Sequence, residues 1–466
     1  MKNSELRLVS LEEAARIVGK KPHNIRDYIQ RGRISKYDTN GKKIQKARNG
    51  ELRVSIAELE SFLDLVKKGL EKHHHSGLDI GLGFHDISET ERTKHVHRLH
   101  PYLGKFIPQL VEWFLKSFFR ENDLILDPFM GSGTTLVQSN ELGINSIGID
   151  ISEFNCLISR VKTQKYDIEK VTKEINDIES RITKFSKYLT RSEDVDLSLF
   201  PEEKMRDLEK SLLNECNSEY LRKWFARRTL LEMLYYKRLI REYHFRDLLK
   251  VLLSRSIRSS RLIPHYDLAT PKSPLPPGKE YWCRKHNRMC KPIEECLVKI
   301  HTYSIDTIRR IREFDRLRTD KEITIIQDDS RQVDLEMYLH GRKIDGIFTS
   351  PPYVGQIDYH EQHIYAYELF GLKRNDSLEI GQKKKGKSKS AQEDYIRNIS
   401  ESLINLRKYL KEDSKIFIVA NDRYRLYQEI AKRSNLRIER EFHRAVTKRT
   451  EQGDNPYEET ILFLTK

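Results

Sequence analysis

The segment LILDPFMGSGTTLVQSNELGINSIGIDIS (residues 124–152) decides the fold. Leu124, Ile125 and Leu126 are a continuous apolar run that predicts a buried strand, with Asp127 at its carboxyl end. Gly131 and Gly133 then allow a tight turn and a close approach of backbone to a ligand. A helix is expected from Thr134 to about Gly143, and a second strand, Ser146 to Ile149, delivers Asp150, 19 residues after Gly131. Strand, glycine turn, helix, strand and acid make half of a nucleotide-binding α/β sheet, in which the acid bonds ribose hydroxyls. No Gly-Lys-Ser/Thr follows the glycines, so the loop is not a phosphate-binding P-loop. By itself the loop fits a nucleotide or a flavin equally.

Working outward, KIDGIFTSPPYVGQIDY (343–359) supplies a second site-forming segment. Ile344 to Phe348 reads as a buried strand, so Thr349-Ser350-Pro351-Pro352-Tyr353 falls at its carboxyl end, the edge where open α/β sheets bind ligands. Two prolines stiffen the turn. The four residues Ser350 to Tyr353 also suit an ordinary surface turn; their pairing with the glycine loop gives them their meaning.

Asp-Pro-Phe-Met-Gly-Ser-Gly-Thr-Thr resembles motif I of the amino-group DNA methyltransferases, which bind S-adenosylmethionine (SAM), and Ser-Pro-Pro-Tyr resembles their catalytic turn. The resemblance covers nearly all of 95–165 and 321–466. It implies that Asp127, Pro128, Phe129, Gly131, Ser132, Gly133 and Thr134 line the methionine side of the cofactor, with Asp150 on its ribose. HRLHPYLGKFIPQLVEWFLKSF (97–118) resembles the segment that closes over the methionine, with Lys105 and Phe106 as contacts and Pro108 opening a helix. ITIIQDDSR (323–331) resembles the acidic third motif, with Asp329 against the adenine and Asp328 as the alternative. SKIFIVAND (414–422) is the next strand. The closing segment 440–466 resembles antiparallel last strands, with Arg449 and Thr450 either bordering the base pocket or structural.

The chemistry suits these residue types. An exocyclic amine is a poor nucleophile because its lone pair is delocalised into the ring. The Ser350 hydroxyl and Pro351 carbonyl can accept both N–H bonds and draw the nitrogen towards a tetrahedral state, while Pro352 shapes the turn and Tyr353 stacks on a base that has left the duplex. In this family Ser at the first position goes with N4 of cytosine, and Asp or Asn with N6 of adenine. Cytosine-C5 chemistry needs a thiolate in a Pro-Cys context, and no Cys here follows a Pro.

Residues 1–70 form a unit of their own. A helix from Leu11, capped by Ser10, ends at Gly19; a second spans Pro22 to Gln30; a basic hairpin region (Ile34 to Val54) and a third helix (Ser55 to Leu63) follow. The 16 Lys and Arg against 9 acids leave about +7 there. This order resembles the excisionase and MerR-type winged helix-turn-helix, which implies DNA contact by Lys20, Lys21, His23, Asn24, Arg26, Arg31 and Arg33. A helical hairpin that binds protein, or packs on the rest of the chain, is the alternative.

Residues 71–94 read as a linker. The α/β pattern runs over 95–165 (SAM-binding half) and 321–466 (catalytic half), interrupted by a helical, basic insertion at 166–320, the expected target-recognition domain. Arg227, Arg228, Arg255, Arg258 and Arg261 could neutralise phosphates there, or line a solvated helical face. YWCRKHNRMCKPIEEC (281–296) offers Cys283, His286, Cys290 and Cys296, but without paired Cys-x-x-Cys spacing, so no metal is assigned. GQKKKGKSKS (381–390) has too little apolar content to pack and is expected to be a mobile loop, with DNA contact as its functional alternative.

Composition agrees. Over 466 residues, 85 Lys and Arg against 70 Asp and Glu give a net charge of +15, which favours a polyanionic partner. No run of 18 apolar residues exists, so no spanning helix and no membrane partner are expected. The start has no apolar signal core, and five Cys in so long a chain suit a reducing cytoplasm. The whole is an α/β chain: a Rossmann-like SAM-dependent methyltransferase sheet with a helical insertion and an N-terminal winged helix-turn-helix. The expected function is SAM-dependent methylation of cytosine N4 in double-stranded DNA, as a modification enzyme with a separate restriction endonuclease at the same site. Adenine-N6 methylation is the nearest alternative, and a catalytically inactive SAM-binding regulator is the alternative of another class.

Overall fold

The computed structural model describes residues 7–20, 22–30, 34–44, 52–61, 63, 82, 84, 87, 89–190, 202–269, 271–446 and 457–466. The chain divides into two compact units, one of Met1–Arg92 with Phe442–Glu459 and one of Thr93–Glu441 with Thr460–Lys466.

In the first unit, strands β1 (Leu8–Val9) and β2 (Val54–Ser55) pair antiparallel. Ser10 accepts the Glu13 N–H at 3.2 Å and starts helix Leu11–Ile17. Helix Pro22–Gln30 follows, Tyr37 bridges to Lys43 and Arg53, and 56–61 is helical after Ser55, whose hydroxyl accepts the Glu58 N–H. Leu11, Ala14 and Ala15, the face given by helical spacing, pack with Ile25, Ile34, Val54 and Leu59 into one small core. Arg26 is exposed and Lys20 half-buried. Lys21, Arg31, Arg33 and the hairpin tip at 45–51 lie outside the described residues, as do the side chains of His23 and Asn24.

The second unit is built on a sheet of β3 (Leu124–Asp127), β4 (Asn145–Asp150), β7 (Ile323–Gln327), β8 (Ile344–Thr349), β9 (Leu410–Ala420), β10 (Arg437–Val446) as far as Glu441 and β11 (Tyr457–Thr465) from Thr460. Their spatial order is β10-β11-β9-β8-β3-β4-β7. The run from β7 to β9 is parallel, and β11 lies antiparallel on β9. Parallel strands covered on both faces need continuous apolar runs, which is why 124–126 and 347–348 carry no polar residue. On one face helix Pro108–Phe118 brings Phe114 and Phe118 against Phe348, Phe417 and Phe463. On the other, Ile399, Leu403 and Leu406 of helix Lys389–Arg407 meet Ile347, Ile416 and Ile418.

From β3 the chain runs to β4 on one side, while β8 lies on β3's other side. The order reverses there, so a crevice opens beyond the carboxyl ends of β3 and β8. The glycine loop and the Ser-Pro-Pro-Tyr turn both sit at that edge.

The insertion carries helices Ile168–Leu189, Glu202–Asn214, Glu219–Trp224, Arg227–Leu239, Arg246–Ser259 and Leu297–Asp315, with a hairpin of β5 (Tyr281–Cys283) and β6 (Arg288–Cys290). Val171, Ile175, Ile178 and Ile182 make a stripe that joins the same apolar cluster as Phe154, Leu157, Ile158 and Val161 next to the glycine loop. The insertion is therefore continuous with the sheet's own core.

One expectation is corrected. Residues 381–390 are an arranged segment, held by polar contacts in place of apolar packing. The Gly381 carbonyl accepts the Gly355 N–H at 2.9 Å, Lys385 pairs with Asp394 at 3.0 Å, and Ser388 caps helix Lys389–Arg407 by accepting the Ala391 N–H at 3.2 Å. Composition alone misses this because each contact lies outside the segment or at its end.

Candidate active site

The chain leaves β3 at Asp127, and Gly131 (φ +50°) and Gly133 (φ +75°) take left-handed backbone. A Cβ at Gly131 would lie 3.0 Å from Tyr102 Oη, and one at Gly133 2.8 Å from Ser159 Oγ, so both geometry and space demand glycine. Asp150 fastens the loop. Its carboxylate accepts the Gly131 N–H at 3.0 Å, the Ser152 N–H at 2.8 Å and the Asn155 amide at 3.1 Å. From below, the buried Lys162 donates to the Ser132 carbonyl at 2.7 Å.

Asp127 joins the two sequence segments. Thr349 Oγ1, at the end of β8, donates to Asp127 Oδ1 at 2.7 Å across a gap of 222 residues, and the Phe129 N–H donates to the same oxygen at 3.2 Å. Burial pushes the Asp127 carboxyl up to about 6, against the pull of its hydroxyl and N–H donors. Burial also raises Asp150 to about 6, offset in part by Ser152, Asn155 and Gly131.

Asp150 and the glycine loop line a cleft formed by the ends of β3, β4, β7 and β8, residues 102–106 and residues 378–380, with Asp127 buried behind the lining. Tyr102 and Tyr359 stack with centroids 6.0 Å apart. Lys105 lines the cleft, donating to the His97 carbonyl at 3.1 Å; burial, then repulsion from Arg98, lowers its ammonium to about 8. Phe106 packs edge-on to Phe348 at 5.6 Å. Ser132 Oγ and Asn155 Oδ1 are buried without a hydrogen-bond partner. Pro128, Phe129, Gly131, Ser132, Thr134 and Asp150 all line the cleft, while Gly133 starts the helix behind it.

Both acids of the third motif reach the cleft, in different states. Asp329 is buried and takes the Arg331 guanidinium Nε at 2.9 Å and the Arg331 N–H at 3.0 Å; Asp328 is exposed. At the far end Ser350 and Pro352 face the cleft, whereas Pro351 is buried and Tyr353 half-buried outside it.

Several residues in or directly behind the cleft were not singled out in the sequence. Tyr102 lies in the quoted His-Pro-Tyr stretch and Thr349 directly before the turn, so both carried a local signal. Asn155 sits one helical turn into the segment after Asp150. His360 and Glu379, a buried hydrogen-bonded pair lining the cleft, meet from segments with no motif between them.

The insertion's arginines divide. Arg227 is exposed and pairs with Glu209 at 2.8 Å. Arg228 pairs with the fully buried Glu232 at 3.0 Å and with Glu295 at 2.6 Å. Arg255 pairs with Asp306 at 2.7 Å, over the ring of Tyr303. Arg261 is buried, donating to the Leu268 carbonyl at 2.8 Å, and desolvation lowers the neighbouring Arg258. Cys283, His286 and Cys290 come together, and Cys296 does not join them. Arg449 and Thr450 lie outside the described residues.

The N6/N4 methyltransferase family model, described as DNA methylase, matches residues 20–160. The type II methyltransferase M.MjaII of Methanocaldococcus jannaschii is 44% identical, over 98% of this chain and 97% of its own length. M.BsoBI of Geobacillus stearothermophilus is 27% identical over 60% of this chain and 53% of its length. M.MvaI of Kocuria varians is 24% identical over 65% and 62%. No described helix is long and apolar enough to cross a membrane. The chain belongs to the type II DNA methyltransferases of the amino-group (N6/N4) family, enzymes that use S-adenosylmethionine.

Proposed function

We propose that this chain methylates the N4 amino group of cytosine in duplex DNA, at a short sequence, as the modification enzyme of a cytoplasmic restriction-modification system with a separate endonuclease. The observation that carries the reading is Ser350, which heads a two-proline turn and opens into the cleft that the glycine loop lines.

The cleft suits the cofactor. Gly131 leaves room beside Tyr102 that a Cβ would fill, and the partnerless Ser132 Oγ and Asn155 Oδ1 need a polar ligand. Asp150 is assigned to the ribose, and Lys105 and Asp127 to the charged ends of the methionine. Phe106, Pro128, Phe129, Gly131, Ser132, Gly133 and Thr134 are assigned to the walls around it. For the adenine, Asp328 joins Asp329, because Asp329 is already engaged by Arg331. SAM supplies an electrophilic methyl group.

The protein's task is then positioning. Ser350 Oγ and the Pro351 carbonyl accept the two amino hydrogens of a flipped-out cytosine, Pro352 holds the turn rigid, and Tyr353 stacks on the ring. Thr349 ties this turn to the cofactor loop through Asp127. DNA contact is assigned to a winged helix-turn-helix in residues 1–70, through Lys20, Lys21, Asn24, Arg26, Arg31 and Arg33, and in the insertion to Arg227. Arg228 is too fully paired and Arg261 too deep to share that role without rearrangement, while the half-buried Arg258 keeps it.

The test is to incubate the protein with SAM and unmodified genomic DNA, digest to nucleosides and identify the product by mass spectrometry. N4-methylcytosine is expected. N6-methyladenine would reassign the base and break the inference from Ser350. No methylated base, with SAM still bound, would favour a regulator.

A further inference from the structure

Far along the chain from the catalytic turn, the hairpin β5–β6 raises a question of stability. Its strands are three residues each, Trp282 and Met289 on it are 55% and 53% exposed, and an isolated two-stranded hairpin is marginal in water. Something other than an apolar core must hold it.

Four potential metal ligands gather at its base. One ligand atom each from His265, Cys283, His286 and Cys290 lies within 4.8 Å of all the others. Cys283, His286 and Cys290 form a Cys-x-x-His-x-x-x-Cys knuckle across the hairpin turn, where Asn287 takes left-handed backbone (φ +51°) and donates its N–H to the Cys283 carbonyl. His265 comes from the loop after helix Arg246–Ser259, 18 residues upstream of Cys283, and its Nδ1 is buried without a hydrogen-bond partner.

The distances discriminate between explanations. His286 Nδ1 lies 3.7 Å from Cys283 Sγ and 3.5 Å from Cys290 Sγ. A single ring nitrogen has either one lone pair or one hydrogen, so it makes only one well-aligned thiol hydrogen bond at a time. A shared ion accounts for both separations: Zn–S of ~2.3 Å and Zn–N of ~2.0 Å at the tetrahedral angle put sulfur and nitrogen ~3.5 Å apart.

We infer that His265, Cys283, His286 and Cys290 hold a structural zinc ion that pins the hairpin of the insertion. Four protein ligands leave no open position, so the ion is structural, not catalytic. Two thiolates balance its charge. Cys296 is excluded as a ligand, because it is fully buried at the start of helix Leu297–Asp315, where its N–H donates to Glu232 at 2.7 Å. The pinned hairpin presents Trp282, Arg284, Lys285, Arg288 and Met289 outward, a cationic and aromatic tip.

The test uses the full chain purified without chelators. Elemental analysis is expected to find one zinc per chain, and the cobalt-substituted protein to show the intense visible bands and thiolate charge transfer of a tetrahedral S2N2 site. A mercurial reagent should release the zinc as two thiols react, a readout that needs no variant to fold. Cys283→Ser, Cys290→Ser and His265→Asn should lose most of the metal, and Cys296→Ser should keep it. Protein without zinc and with an octahedral cobalt spectrum would overturn the site, as would a Cys283–Cys290 disulfide in freshly purified protein. Loss of metal in Cys296→Ser with full retention in His265→Asn would overturn the ligand set.

Discussion

The cleft and the helical insertion both withdraw charged side chains from water, yet three groups at the cleft are treated in the opposite way to those of the insertion. Asp127 is buried, and Asp150 and Lys105 half-buried, with neutral hydrogen-bond partners only, and desolvation drives each towards its uncharged form. In the insertion Glu232 takes Arg228 at 3.0 Å, Ser186 at 2.5 Å and the Cys296 N–H at 2.7 Å. Asp306 takes Arg255, Arg309 and Arg310, whose bonds outweigh the upward pull of burial and hold it below the usual carboxylate range. A buried charge with a full set of opposite partners is structure; one left short of them is a seat for a charged ligand.

The sharpest way to break this contrast is at the turn. On the proposed assignment Ser350→Ala removes an acceptor used as charge develops on the amine, so single-turnover methylation should slow by about 10²–10³-fold while SAM affinity holds. An equal loss of SAM binding would make Ser350 part of the cofactor seat. Next is Arg255→Met, which strips one partner from a buried pair. Denaturant unfolding should show a loss of about 3 kcal/mol, the low end for such a break because Arg309 and Arg310 still hold Asp306. SAM affinity of the folded protein should be unchanged. Asp150→Asn belongs to the other class: it should weaken SAM binding by about 1.5–3 kcal/mol, read by titration calorimetry, with a smaller change in stability.

A pH series separates the two regions without mutation. Asp127 and Asp150 titrate near 6 in the ligand-free fold, above their ordinary value, so the folded chain holds protons there that the unfolded chain has released. Their contribution to stability is therefore complete below about pH 4 and lost as pH rises through about 6. Cofactor binding runs the other way, because the ionised carboxylates are what bind. SAM affinity should fall by up to about tenfold per pH unit per carboxylate below pH 6. Above pH 8 it should fall again as Lys105 loses its proton. A flat profile would remove all three groups from the cofactor seat.

What was legible in the sequence follows from the same physics. Gly131 and Gly133 stand where no other residue fits, and residues 124–126 of β3 and 347–348 of β8 are apolar because both faces are covered, so loop, strands and turn could all be read locally. The capped helix from Leu11 and the stretch from Pro22 to Gln30 were legible through Ser10 and proline placement. His360 with Glu379, and His265 with the Cys knuckle, are pairings between distant segments, and no local pattern encodes them. The insertion's arginines stayed open between two readings for a further reason. An amphipathic basic helix looks the same whether its cations meet phosphate or acids; Glu232 is a local partner of Arg228 one helical turn on, but Glu295 and Asp306 reach Arg228 and Arg255 only through the tertiary fold.

The smallest expected effect tests what is left of that basic face. Arg227 is exposed and pairs with a single carboxylate, Glu209, in a geometry that solvent screens, so Arg227→Ala should change stability by less than about 0.5 kcal/mol. If the residue meets a phosphate, the substitution should weaken binding to all duplex sequences alike and lower the slope of log affinity against log salt by about one. Arg228→Ala, one residue along, should do the reverse, costing stability by leaving Glu232 short of its cation. Unchanged DNA affinity and slope in Arg227→Ala would take the exposed one of the insertion's candidate arginines off the DNA. Duplex contact would then rest with residues 1–70, the cationic hairpin tip and the half-buried Arg258.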